Sequence, residues 1–171
     1  MIYLAEFCRL FIFIVLVLAA WGKTNSFARF RDSLADTLNV PVQWRLLSAL
    51  GLVATEWMLA AMLLIDGPWR ALAMQAALLL FVSFALYIAS ILIKHRLVSC
   101  HCFGRENRHV NAYDFYRTLI LIAACFIMLT FTSSALTLVP ASQWLLFGCA
   151  FMLAQITIHL PDVATLLRHD A

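Results

Sequence analysis

The sequence predicts an all-α, polytopic membrane helix bundle. It has four core transmembrane helices, a weaker fifth, and an amphipathic interfacial helix after the first. Three observations predict it. The 171 residues are 64% hydrophobic and only 12% charged, where a soluble domain is nearer half apolar and a quarter charged. The apolar residues gather into runs of about the 20 residues that a span needs. One segment between the first two runs repeats its apolar residues at steps of three and four instead. The length suits one bundle of four or five spans, so residues 1–171 are expected to form a single integral membrane domain, with no room for a second folded unit. A net charge of +3, without a basic stripe carrying interleaved aromatics, gives no footing for nucleic acid.

The first run covers about residues 4–21. Glu6 beside Arg9 and the lack of an A-x-A site distinguish it from a cleaved signal peptide, and it reads as a retained helix. Gly22-Lys23-Thr24-Asn25 is predicted to end it. Over residues 25–38, Phe27, Phe30, Leu34 and Leu38 take one helical face, with Arg29, Asp32, Ser33 and Asp36 on the other. This helix, capped near Thr24 or Asn25 and stopped before Pro41, is too polar to span and is predicted to lie in the headgroup plane. The second span is 44–65, the tight turn Asp66-Gly67-Pro68 follows, and the third span is 71–93. Residues 94–113 form the most polar connection in the chain. Asn111 and Asp114 resemble an N-cap pair opening the fourth span, 114–139. A turn at Pro140–Gln143 precedes the fifth, 144–160, which Gln155 and His159 interrupt.

Lys and Arg are distributed unevenly. With five spans, the interfacial helix and the 94–113 connection share a side, and most of the basic residues lie there. The positive-inside rule would put that side in the cytoplasm. Disulfide chemistry belongs outside it. The two arguments oppose each other, and the sequence leaves the sidedness open.

The chemistry is expected in that connection, at Cys100-His101-Cys102-Phe103-Gly104. Two thiols flanking one residue close a small strained ring when oxidised, and such disulfides exchange readily. His101 and Arg105 favour the thiolate. The alternative is a metal site with Cys100, Cys102 and His109 or His95 as ligands. The spacing departs from zinc patterns, which place two to four residues between cysteines. Cys8, Cys125 and Cys149 lie inside apolar runs, where cysteine is ordinarily a packing residue; a thiol relay through them is the functional alternative. Glu56 lies near the middle of the second span, where a carboxylate is costly. It reads either as a proton acceptor coupled to thiol chemistry or to a membrane quinone, or as a packing residue paired with Arg9, His159 or Gln75. Arg117 is expected to face the site or snorkel, and His159 to be a satisfied polar residue.

These features resemble the methylamine utilisation protein MauE family, within the broader DoxX-like membrane proteins. The resemblance rests on Gly22-Lys23, the amphipathic segment ending near Pro41, Glu56, the Cys100-His101-Cys102-Phe103-Gly104 motif and Arg117. It covers most of residues 4–135. It implies a bacterial inner-membrane protein acting with a thioredoxin-like, MauD-like partner. Their client would be the small (β) subunit of methylamine dehydrogenase or another disulfide-rich periplasmic protein. On that reading Cys100 and Cys102 exchange with the partner, His101 tunes the thiolate, and Glu56 sits near the electron carrier. The rival readings are a non-enzymatic membrane chaperone or scaffold for maturation, and a metal-handling protein using the same thiols.

Overall fold

A computed structural model describes residues 2–38, 41–65, 67, 69–93, 112–131 and 144–157, and all its regular structure is helical. The elements are α1 (Ile2–Asn25), α2 (Phe27–Leu38), α3 (Val42–Leu64), α4 (Trp69–Ile93) and α5 (Ala112–Phe131). A shorter apolar helix, α6 (Trp144–Thr157), follows. Helices α1, α3, α4 and α5 are long and apolar enough to cross a membrane. As described, α6 is shorter than a span. The connection 94–111 with its cysteine motif, residues 132–143, and His159 lie outside the described residues, as do the ends predicted for the fourth and fifth spans.

The four long helices form a ring. α1 packs on α3 and α5, and α4 packs on α5 and α3, so α1 and α4 face each other across a diagonal. Side-chain size selects the buried faces, because lipid is as apolar as leucine and gives helices no hydrophobic reason to associate. α4 shows this most clearly. Its buried positions Ala73, Ala77, Phe81 and Ala85 recur every four residues, while Leu72, Leu79 and Leu86 on another face are exposed. α1 buries a longer stripe that includes Ile12, Leu16, Ala19 and Lys23. α6 joins the same core through Ala150 and Ala154.

The bundle has two distinct ends. At one, Glu6 accepts from Arg70 at 3.2 Å and pairs with Arg9 at 2.7 Å. Arg9 also donates to the Leu63 carbonyl at 3.1 Å. These contacts hold the start of α1 to the end of α3 and the start of α4. Gly67, with φ of 138°, makes the turn there, a conformation that glycine adopts without the strain of a Cβ. The other end carries the close of α1, all of α2, the start of α3, the exit from α4 and the entry to α5.

α1 ends at Asn25, within the Gly22-Lys23-Thr24-Asn25 close read from the sequence. Helical hydrogen bonding nevertheless carries on across Ser26. The Ser26 amide donates to the Gly22 carbonyl at 3.2 Å, and the Phe30 amide donates to the Ser26 carbonyl at 3.0 Å. The Thr24 and Ser26 hydroxyls donate back to Ala20 and Gly22. Thr24 therefore does not cap α2; such back-bonding bends a helix rather than ending it. α2 folds along the first half of α3, with buried Phe30 against Ala49 and Val53, and with Phe27 and Leu34 packed around them. Its apolar stripe covers protein at the bundle mouth.

Phe30→Asp should cost on the order of 3–5 kcal/mol, the range for losing a buried aromatic. Thermal unfolding in detergent, with proteolysis near Ser26, would show α2 detached. Ala28→Asp, on the exposed face, should leave both unchanged.

Candidate functional site: a buried ion pair at an interior cavity

Lys23 and Glu56 meet inside the bundle. Lys23 Nζ donates to Glu56 Oε1, and the two side chains are 2% and 6% exposed. A lone charge at this depth would be strongly unfavourable, so pairing is a condition for either residue to be there. Two aromatic rings hold the ammonium in place, Phe30 at 5.6 Å and Phe84 at 6.0 Å from Nζ to the centroid; such faces attract cations. Trp57 Nε1 donates to Thr24 Oγ1 at 3.5 Å beside the pair.

The sequence offered Arg9, Gln75 and His159 as partners for Glu56. Arg9 instead belongs to the opposite end, Gln75 is exposed, and His159 lies outside the described residues. The reason is the register of α1 against α3. α3 extends past the end of α1, and α2 occupies the space beside the overhang. The middle of α3 is therefore level with the last turn of α1. A signal for Lys23 was present: it continues the stripe of Ile12, Leu16 and Ala19 at steps of four and three. Glu56 likewise sits in register with Ala49, Val53, Ala60 and Leu63, the buried line of α3.

The pair closes one side of a small, partly open cavity of about 40 Å³ lined by the four long helices. α1 gives it Leu16, Ala19 and Lys23, and α3 gives Glu56. α4 supplies Phe81 and Phe84, and α5 supplies Arg117, Thr118 and Leu121. Arg117 lines this cavity, with Asp114 3.6 Å away. Thr118 spends its hydroxyl on the Asp114 carbonyl at 2.8 Å. Glu56 Oε2 is buried and accepts no hydrogen bond from any described residue. The cavity therefore has apolar walls, two cationic donors and one acceptor that is not used.

The cavity lies in the half of the bundle nearer α2. Phe84 is about 13 Å of helix from the end of α4, and Arg117 about 8 Å from the start of α5, at ~1.5 Å per residue. The chain leaves α4 and re-enters α5 at that end, so Cys100, His101 and Cys102 lie in the connection that starts and finishes there. Their own placement lies outside the described residues. Of the sequence-predicted site, the structure places Glu56. Cys8 and Cys125 are buried in the main core, and Cys149 is exposed; all three are free thiols.

The profile of the family described as methylamine utilisation protein MauE matches residues 1–132. The chain belongs to the MauE family. The match takes in α1 to α5 and every residue that lines the cavity, and leaves α6 outside it. With four helices able to cross a membrane, this MauE-family chain is a multi-pass protein of the inner membrane. No curated protein and no solved structure matches it.

Removing one member of a buried ion pair leaves an uncompensated charge and costs roughly 3–5 kcal/mol, whereas replacing both with apolar residues is often neutral. Lys23→Met and Glu56→Leu should each lower the unfolding temperature sharply. The Lys23→Met/Glu56→Leu double variant should recover most of the loss. Additive losses in the double variant would contradict a direct pair.

Proposed function

We propose that this protein is a membrane thiol–disulfide redox protein. It supports disulfide formation in a periplasmic client together with a thioredoxin-like, MauD-like partner. The observation that carries the reading is the run Cys100-His101-Cys102-Phe103-Gly104 in a chain of the MauE family. These are the cysteines of a polar connection; Cys8 and Cys125 are buried in the core. The family's description supports a methylamine-utilisation setting, and the small subunit of methylamine dehydrogenase is the client that fits it.

The exchange balances as follows. A thiolate of the partner attacks the Cys100–Cys102 disulfide and forms a mixed disulfide, releasing one thiolate. The partner's second thiol resolves it. The partner gains a disulfide, and Cys100 and Cys102 become thiols holding two electrons and two protons. A membrane quinone takes up those two electrons and two protons, leaving as the quinol, and the disulfide is restored. His101 and Arg105 assist by favouring the thiolate as attacking and leaving group. Glu56 contributes through the cavity at the same end of the bundle.

Cys100→Ser and Cys102→Ser should each abolish maturation of the client while leaving insertion and unfolding temperature as in the wild type. Maturation is read as correctly paired disulfides in the client by mass spectrometry. Full maturation in the double Ser variant would instead favour a scaffold that holds the client. Stoichiometric metal in the purified protein, lost with either Ser substitution, would favour metal handling.

A further inference from the structure

We propose that the cavity between α1, α3, α4 and α5 holds a small water cluster through which Glu56 takes up and releases a proton. The proposal deepens the thiol–disulfide reading by giving its protons an acceptor inside the bundle. It rests on that reading for its role, though not for the hydration or the proton exchange.

Three features carry it. The first is size. A space of about 40 Å³ is far below that of small-molecule sites. A water needs only about 10–15 Å³ of such space, so about two or three molecules fit. The second is the lining, because water stays in a cavity only where polar groups hold it. Glu56 Oε2 is buried and accepts no hydrogen bond from any described residue. Lys23 Nζ has further N–H groups beyond the one that serves Glu56 Oε1. Arg117 and Thr118 line the same space. The Thr118 hydroxyl donates to the Asp114 carbonyl, and its oxygen still accepts. A water that donates to Glu56 Oε2 and accepts from Lys23 or Arg117 therefore finds its bonds in place. The Glu56 carboxylate opposes an anion, and the two cations oppose a metal ion, which leaves neutral water as the occupant.

The third feature is what holds Lys23. Neutralising one member of a buried pair ordinarily strands the other as a bare charge. Here the ammonium also lies over the Phe30 and Phe84 rings, which attract it whatever the state of the carboxyl. The pair thus tolerates a proton on Glu56. In the step, a hydronium of the cluster gives its proton to Oε2 and becomes water, while Oε1 keeps its hydrogen bond from Lys23. No electron moves, and the reverse step returns the proton. Reoxidation of a dithiol releases protons, and a carboxylate reached through water accepts one.

The test uses the full chain in phosphatidylcholine nanodiscs. Hydroxyl-radical footprinting reads the water. Phe81 lines the cavity and Phe11 lies in the main core, and both are buried. Phe81 should be labelled and Phe11 spared. Ala19→Leu adds bulk to the wall away from the ion pair. It should lower Phe81 labelling to the level of Phe11 while unfolding at a temperature near the wild type's. Infrared spectroscopy with isotope-labelled glutamate reads the proton. On acidification the wild type should gain a protonated-carboxyl band that carries the isotope shift. Lys23→Met/Glu56→Gln removes both charges together and should lose that band. Phe81 labelled no more than Phe11 in the wild type would overturn the proposal and show a dry cavity. Unchanged Phe81 labelling in a folded Ala19→Leu variant would do the same. Labelled Phe81 with the same carboxyl band in Lys23→Met/Glu56→Gln would overturn it in favour of structural water beside a permanent ion pair. Cys100→Ser/Cys102→Ser should match the wild type in both measurements. Client maturation in that variant is measured separately, so the thiol reading can fail while the proton site stands, and the reverse.

Discussion

A charge inside an apolar bundle must find its opposite, and the Lys23–Glu56 pair is where this chain meets that demand. It joins the last turn of α1 to the middle of α3 and fixes the depth of one helix against the other. The overhang of α3 past α1 follows from that register, and α2 fills the space the overhang leaves. The cavity follows as well. The pair and Arg117 gather polar groups on one level, between two helices that face across the diagonal of the ring. Small residues such as Ala73 and Ala77 close the bundle elsewhere, so empty space remains where Lys23, Phe84 and Arg117 are too bulky or too polar to pack tightly.

Much of this was legible in the sequence. Apolar runs gave the first three spans and the start of the fourth to within a few residues, since length and hydropathy are direct consequences of bilayer thickness. The amphipathic segment was plain from Phe27, Phe30 and Leu34. What could not be read was register. Gly22-Lys23-Thr24-Asn25 reads as the polar close of the first span, and α1 does end at Asn25. What that close does not show is that Lys23 turns into the bundle, where its partner lies 33 positions away. Glu56 was recognisable as costly from its setting alone, but its partner depended on how far α3 runs past α1. The stripe Ile12-Leu16-Ala19-Lys23 contained the answer in its period. The thiol motif was recognisable by its composition and by family likeness, and its chemistry is independent of the helix packing.

The register also bears on sidedness. Lys23 and Arg117 both lie toward the end of the bundle that carries the 94–111 connection. Both are committed inside the bundle, Lys23 to Glu56 and Arg117 beside Asp114, so neither acts as a free charge in a loop. At the opposite end Arg9 and Arg70 are engaged with Glu6. Any charge asymmetry between the two sides is therefore smaller than a bare count of Lys and Arg gives. The buried charges are part of the site and the fold.

The ion pair has a consequence for biogenesis. Lys23 emerges from the ribosome 33 residues before Glu56. At 5–20 residues per second that is an interval of roughly 2–7 s. During it, α1 enters the bilayer with an ammonium that has no counter-charge. A lysine near a helix end can reach back to the headgroups for that time, which a lysine at mid-membrane could not. The buried place of Lys23 becomes favourable once α3 brings Glu56, which couples the packing of the first two spans.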